Sequence, residues 1–163
     1  MQKKTAGKTP RKTRQFRNKS VKSHSKSVKS NSKSVKLSNE KKSHIVRIFI
    51  EMLNLIKLYH WKTRSYAQHK ATDELYDKLN EHIDKFVEVL LGKSESRIHM
   101  VNGRIQLIDQ NLKTVKSKVY EYRGFLVDLN QYFDSNLDSD LLNLRDEILA
   151  DINQFLYLLT FDK

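Results

Sequence analysis

Residues 60–92, HWKTRSYAQHKATDELYDKLNEHIDKFVEVLLG, set two histidines and a series of carboxylates at helical spacing. At ~100° per residue, His69, Asp73, Asp77, Asn80, Asp84 and Glu88 fall within an arc of about 100°. Leu75, Leu79, Ile83, Phe86 and Leu90 occupy the adjoining arc. Lys70, Glu74, Lys78, Glu81 and Lys85 fill the solvent side with i,i+4 pairs. A helix of this size normally keeps its charges away from its core side. Here a line of metal-ligating side chains runs beside the core, and imidazole with carboxylate is a donor set that suits iron.

Distance decides how such ligands could meet. Asp73 and Asp84 are eleven residues apart, which is about 16 Å along a helix axis. Two ligands of one ion, each bound at ~2 Å, lie no more than about 4 Å from each other. One helix therefore cannot close a site from both ends of the line. An antiparallel copy crossing near Lys78–Leu79 can, because His69 and Asp73 of one chain then meet Asp84 and Glu88 of the other. Two-fold symmetry makes two equivalent sites per dimer, and His60 offers a further nitrogen. Asp77 reads as part of a solvated edge, and His82 and His99 as structural.

Four amphipathic segments must position these residues. The first runs from a cap at Ser43 to about Arg64, with Ile45, Ile48, Phe49, Met52, Leu53, Leu55, Ile56 and Tyr59 repeating at three and four. The second runs from about Gln68 to Leu91, with Gly92 as its stop. The third spans about Asn111 to Phe133 and lines up Leu112, Val115, Val119, Tyr122, Leu126 and Leu129. The fourth spans about Ser139 to Phe161 with Leu142, Leu144, Ile148, Ile152, Phe155, Leu156 and Leu159, and Asp138, Ser139 or Asp140 as cap. The expected fold is an all-α four-helix bundle. In RIHMVNGRIQLI, Asn102–Gly103 sits between two alternating runs, which predicts a short β-hairpin between helices two and three, with a short helix and loop as the competing reading.

Charge divides the chain in two. Residues 1–43 carry fifteen Lys and Arg against one acid, net +14, while residues 44–163 are net −2. The first segment has too few large apolar residues to offset its ordering entropy and is expected to be disordered; the second suits one domain. KSVKSHS, KSVKSNS and KSVKLSN follow one another from Lys19 to Asn39. One apolar residue per seven is too few for a coiled coil. Lysines at this density on a flexible backbone suit the regular phosphates of DNA, or of RNA, without sequence readout. The expected contacts are Lys3, Lys4, Lys8, Arg11, Lys12, Arg14, Arg17, Lys19, Lys22, Lys26, Lys29, Lys33 and Lys36. A localisation signal at RKTRQFR is the competing use of this tail.

The chain contains no cysteine, which excludes disulfide frameworks, Cys-type zinc sites and thiol catalysis. No apolar run approaches the ~20 residues of a membrane span, and no apolar stretch follows the basic N-terminus. An intracellular (nucleoid or nucleus) or virion-interior location is expected.

HW at 60–61, H-x3-D at 69–73 and D-x3-E at 84–88 resemble the Dps mini-ferritins, the DNA-protecting members of the ferritin-like group. The stretch KLYHWKTRSYAQHKATDELYDKLN is also similar to Dps-like proteins of phages and large DNA viruses. The resemblance covers roughly residues 50–92 and is only general over the last two helices. It implies a ferritin-like four-helix subunit, an iron site at the dimer interface, a hollow twelve-subunit shell, and DNA binding through a Lys-rich N-terminal extension. Carried over by position, His60, His69 and Asp73 would come from one subunit and Asp84 and Glu88 from its partner, with Trp61 beside the iron. His60 and His69 are nine residues apart, a shorter spacing than the family's usual one. Two functions follow as expectations. One is a DNA-compacting protein that oxidises Fe(II) at its interface; the other is a non-enzymatic packaging or virion protein on the same scaffold with a degenerate site.

Overall fold

The computed structural model describes residues 37–101, 103–105, 107 and 111–161. The basic repeat tail through Lys36, with its expected disorder and phosphate-contacting side chains, lies outside the described residues. Four helices carry the fold: α1 (Asn39–Lys62), α2 (Tyr66–Lys93), α3 (Leu112–Asp128) and α4 (Ser139–Leu158), with a 3-10 turn at Leu129–Gln131. Each buries the stripe that its periodicity marks. All five expected core positions of α2, Leu75, Leu79, Ile83, Phe86 and Leu90, are buried, against Phe49, Met52 and Ile56 of α1 and Ile148, Ile152 and Phe155 of α4. Phe49 meets Phe86 edge-on, with centroids 5.3 Å apart, an arrangement that aromatic quadrupoles favour.

The helix ends depart from expectation in instructive ways. α1 begins at Asn39, because Ser38 caps it by accepting from the Lys41 N–H at 3.4 Å. Ser43, the expected cap, is buried inside the helix and ties down the chain after α2: its hydroxyl donates to the Val101 carbonyl at 3.1 Å and accepts from the Val101 N–H at 2.7 Å. Gly92 does not stop α2, which continues to Lys93. The turn that follows uses the non-glycine Glu95 at φ 45°. Asp138 holds the cap position of α4, but its carboxylate accepts from the Asp134 N–H and pairs with Lys93. The third segment ends as helix at Asp128, short of Phe133.

Helix directions follow from named contacts. Along α2, Lys78, His82 and Lys93 meet Gln154, Asp151 and Asp140 in turn, so α2 and α4 are antiparallel. His60 meets Thr72 while Lys42 reaches Ser94 and Ser96, so α1 and α2 are antiparallel. Buried Arg145 donates to the Leu126 carbonyl while Lys116 reaches that of Leu159, which makes α3 and α4 antiparallel. α2 and α3 therefore run in the same direction. The connection between them must return the length of α3, about 26 Å for its seventeen residues.

That requirement corrects the reading of RIHMVNGRIQLI. Among its described residues no strand forms; Asn102, at the centre of the expected turn, lies outside them. Val101 is fixed at the start of α1 by Ser43, while Arg104, Ile105 and Leu107 line a groove of about 740 Å³ between α1 and α3. The segment is a crossover, and its apolar Ile105 and Leu107 line a groove instead of facing a partner strand. Tyr122 on the same groove has its phenol pushed up to about 12, by burial first and then by Glu51 and Glu121.

Candidate metal centre

α1 and α2 are joined by only three residues, Thr63 to Ser65. Thr63 and Ser65 each satisfy a helix end. The Thr63 N–H donates to the Tyr59 carbonyl at 2.9 Å, and Ser65 caps α2 by accepting from the Gln68 N–H at 3.3 Å. The Gln68 side-chain carbonyl accepts from both the Tyr59 phenol and the Thr63 hydroxyl, the latter at 2.6 Å. A corner this tight, tied from three sides, fixes the last turn of α1 against the first turns of α2.

It also fixes His60 against His69. Their rings stack with centroids 3.9 Å apart and planes 23° from parallel. His60 Nδ1 lies 3.1 Å from the His69 carbonyl, and His69 Nδ1 lies 3.2 Å from the His60 carbonyl. A carbonyl oxygen can only accept, so each of these contacts favours a proton on Nδ1, the tautomer that leaves the lone pair on Nε2. Metal-ligating histidines are usually held in this way, by the other ring nitrogen donating to a carbonyl or carboxylate. His60 Nε2 lies 3.8 Å from Asp73 Oδ1, inside the ~4 Å that two ligands of one ion can span. His60 and Asp73 are thus near enough to share an ion, and imidazole with carboxylate is a donor pair that suits a divalent metal such as iron.

The remaining expected ligands stand elsewhere. Asp84 and Glu88 are exposed on α2, one and two helical turns past its midpoint. Among the described residues of one chain, no group of three His, Asp or Glu comes close enough to hold an ion unaided. Asp77 is exposed, as expected of a solvated edge. His82 is a structural histidine, with Nδ1 2.8 Å from Asp151 on α4; His99 is exposed. Trp61 is 69% exposed, with the Lys57 ammonium 5.8 Å from its ring and 4.5 Å from that of Tyr76.

Charge along this face is strongly polar. Residues 57–72 hold four Lys and Arg and no acid, whereas residues 73–88 hold six acids and two lysines. The same face of α1 and α2 carries the half-buried aliphatics Ile50, Leu53, Val87 and Leu91.

Sequence reasoning passed over Tyr59, Gln68 and Thr72 as site residues. Thr72 is fully buried on the arc of Leu75 and Leu79, and a polar residue on a core arc is a signal in its own right.

The pattern of the Family of unknown function (DUF5856) matches residues 60–159. That span opens at His60 and contains His69, Asp73, Asp84 and Glu88; the basic tail falls outside it. No curated protein and no solved structure matches the chain. No helix among the described residues is long and apolar enough to cross a membrane.

Proposed function

We propose a role for this chain, which belongs to the Family of unknown function (DUF5856), as a Dps-like protein that compacts DNA and oxidises Fe(II) at sites shared between two subunits. The observation that carries the reading is the reciprocal anchoring of His60 and His69, with Asp73 3.8 Å from His60 Nε2. Two imidazoles with their lone pairs on Nε2, beside one carboxylate, form half of an iron-binding set. The other half is Asp84 and Glu88 of a second copy, brought in by α2 pairing head to tail. With the crossing near Lys78–Leu79, two-fold symmetry sets His69 against Glu88 and Asp73 against Asp84, so the pairing gathers carboxylates around one shared position, an arrangement that a bound cation would stabilise. Bundle topology supports the reading as well. A single long crossover between parallel second and third helices is the connectivity of ferritin-like bundles.

In this reading Fe(II) is the substrate. His60, His69 and Asp73 bind it from one subunit and Asp84 and Glu88 from the other, and Trp61 stands beside the site. The tail, net +13 over residues 1–36, holds the phosphate backbone of DNA by counterion release. Several tails on one particle strengthen individually weak contacts.

Anaerobic loading with Fe(II) followed by oxygen tests the enzyme. Wild type should oxidise iron well above the rate of an Asp84→Ala/Glu88→Ala variant, and equal rates would remove the activity. The second reading, a packaging protein with a degenerate site, draws on the exposure of Asp84 and Glu88 and the absence of a complete ligand group among the described residues of one chain. Equal rates together with intact DNA compaction would select it.

A further inference from the structure

We infer that Thr72 is a positioning residue that restricts His60 to one tautomer and so readies it as a ligand. The inference rests on the metal reading above, but its main readout is a property of the imidazole that exists without metal.

Thr72 is fully buried among leucines. A hydroxyl there is costly unless bonded, and this one is bonded on both sides. Its oxygen lies 2.8 Å from the Gln68 carbonyl and 3.0 Å from the His69 carbonyl. Both are acceptors only, so the single hydroxyl proton is committed to one of them. The same oxygen lies 3.3 Å from His60 Nδ1. With its proton in either of those bonds, Thr72 meets that nitrogen as an acceptor. His60 Nδ1–H is therefore shared between the His69 carbonyl at 3.1 Å and the Thr72 oxygen at 3.3 Å. Moving the proton to Nε2 would turn the Nδ1 lone pair towards that of the His69 carbonyl, and Thr72 would either add a second lone pair or give up its own backbone bond to donate, a penalty either way. Nε2 is left as the ligating atom, on the side of Asp73.

The two histidines are not equivalent here. The His69 ring is anchored by the His60 carbonyl, and no bond from Thr72 to that ring is present. Thr72 touches only the His69 backbone. His69 therefore serves as an internal control within the same stacked pair.

The test uses the full chain, labelled with 15N at histidine and observed at mildly alkaline pH. Thr72→Val keeps the shape and removes the acceptor; Thr72→Ser restores it. In wild type, His60 should show a protonated Nδ1 and an unprotonated Nε2. In Thr72→Val the His60 signals should move towards mixed tautomers while those of His69 stay in place. Co2+ affinity should fall by about 10–100-fold, the usual effect of losing a group that orients a metal ligand. Thr72→Ser should return both readouts to wild type. The inference is overturned by unchanged His60 signals in Thr72→Val, by His60 and His69 shifting together, or by failure of Thr72→Ser to restore them. A wild type that binds no Co2+ but shows the His60 response would defeat the metal reading and leave the positioning role standing.

Discussion

A chain without cysteine invites a direct test of head-to-tail pairing, by placing thiols at the two carboxylates meant to meet. Asp73→Cys/Asp84→Cys puts both on α2, eleven residues and about 16 Å of helix axis apart. A disulfide needs its Cα atoms within about 7 Å, so these two cannot bridge within one chain. In an antiparallel pair crossing near Lys78–Leu79, each position lies about 8 Å of axis from the crossing point. For helices packed about 20° from antiparallel, the lateral drift at that distance is only ~3 Å. Position 73 of one chain then faces position 84 of the other, twice per dimer. Mild oxidation followed by denaturing, non-reducing electrophoresis should give a covalent dimer from the double variant. Neither single variant should cross-link, because like positions of an antiparallel pair are ~16 Å apart. A mixture of the two single variants should yield a heterodimer. A double variant that stays monomeric, or single variants that cross-link to themselves, would refute the pairing; the second outcome would mean the helices run in the same direction.

Two further outcomes follow. If the tail neutralises about ten phosphates, log affinity for duplex DNA should fall with log salt at a slope near −9, roughly five decades between 50 and 200 mM. Deleting residues 1–36 should flatten that slope, and a titration at three salt concentrations checks it. Lys93 clamps the end of α2 to the start of α4, 2.7 Å from Asp140, 3.2 Å from Asp138 and bonded to the Leu137 carbonyl. Burial pulls the Lys93 ammonium down and opposes ionisation of Asp140, but their mutual bonds outweigh it, so Lys93 is raised and Asp140 lowered. The stabilisation is present above the unfolded Asp value and below the unfolded Lys value, 3.8 and 10.5. It is lost as pH falls through the lowered Asp140 range or rises through the raised Lys93 range. Lys93→Met should therefore cost about 1 kcal/mol at neutral pH in denaturant melts, an estimate already discounted for its exposed partner. The deficit should vanish in strong acid.

The stripes that face the core were readable in the sequence because three- and four-residue spacing is a local property, and a buried stripe has few ways to be wrong. The His60, His69 and Asp73 grouping was readable for a related reason, since a short corner between two antiparallel helices brings their ends together. The crossover was not. An alternating segment looks the same locally whether it pairs with a neighbour or lies singly in a groove, and only the direction of α3 relative to α2 tells the two apart. Ser38 was missed as a cap because it sits in the composition of the repeat. Nothing in the sequence singled out Lys42 or Arg145, yet both are buried. Lys42 spends its ammonium on the Ser94 and Ser96 hydroxyls, at 3.3 and 2.8 Å beside the carbonyl end of α2, where a positive charge is welcome. Pairings of that kind are set by which ends meet, and no window of sequence contains both.

The stacked imidazoles carry a lesson for comparing relatives of this chain. His69 occupies a carbonyl in the final turn of α1 that would otherwise lack a donor, so the pair closes a helix end whether or not an ion ever binds. A relative without the proposed iron site would still have reason to keep both histidines. Asp84 and Glu88, out on the surface of a single subunit, have no such second employment and would drift first. In the proposed reading, the acids are therefore the sensitive indicator of a working centre among relatives of this chain, and the histidines the insensitive one.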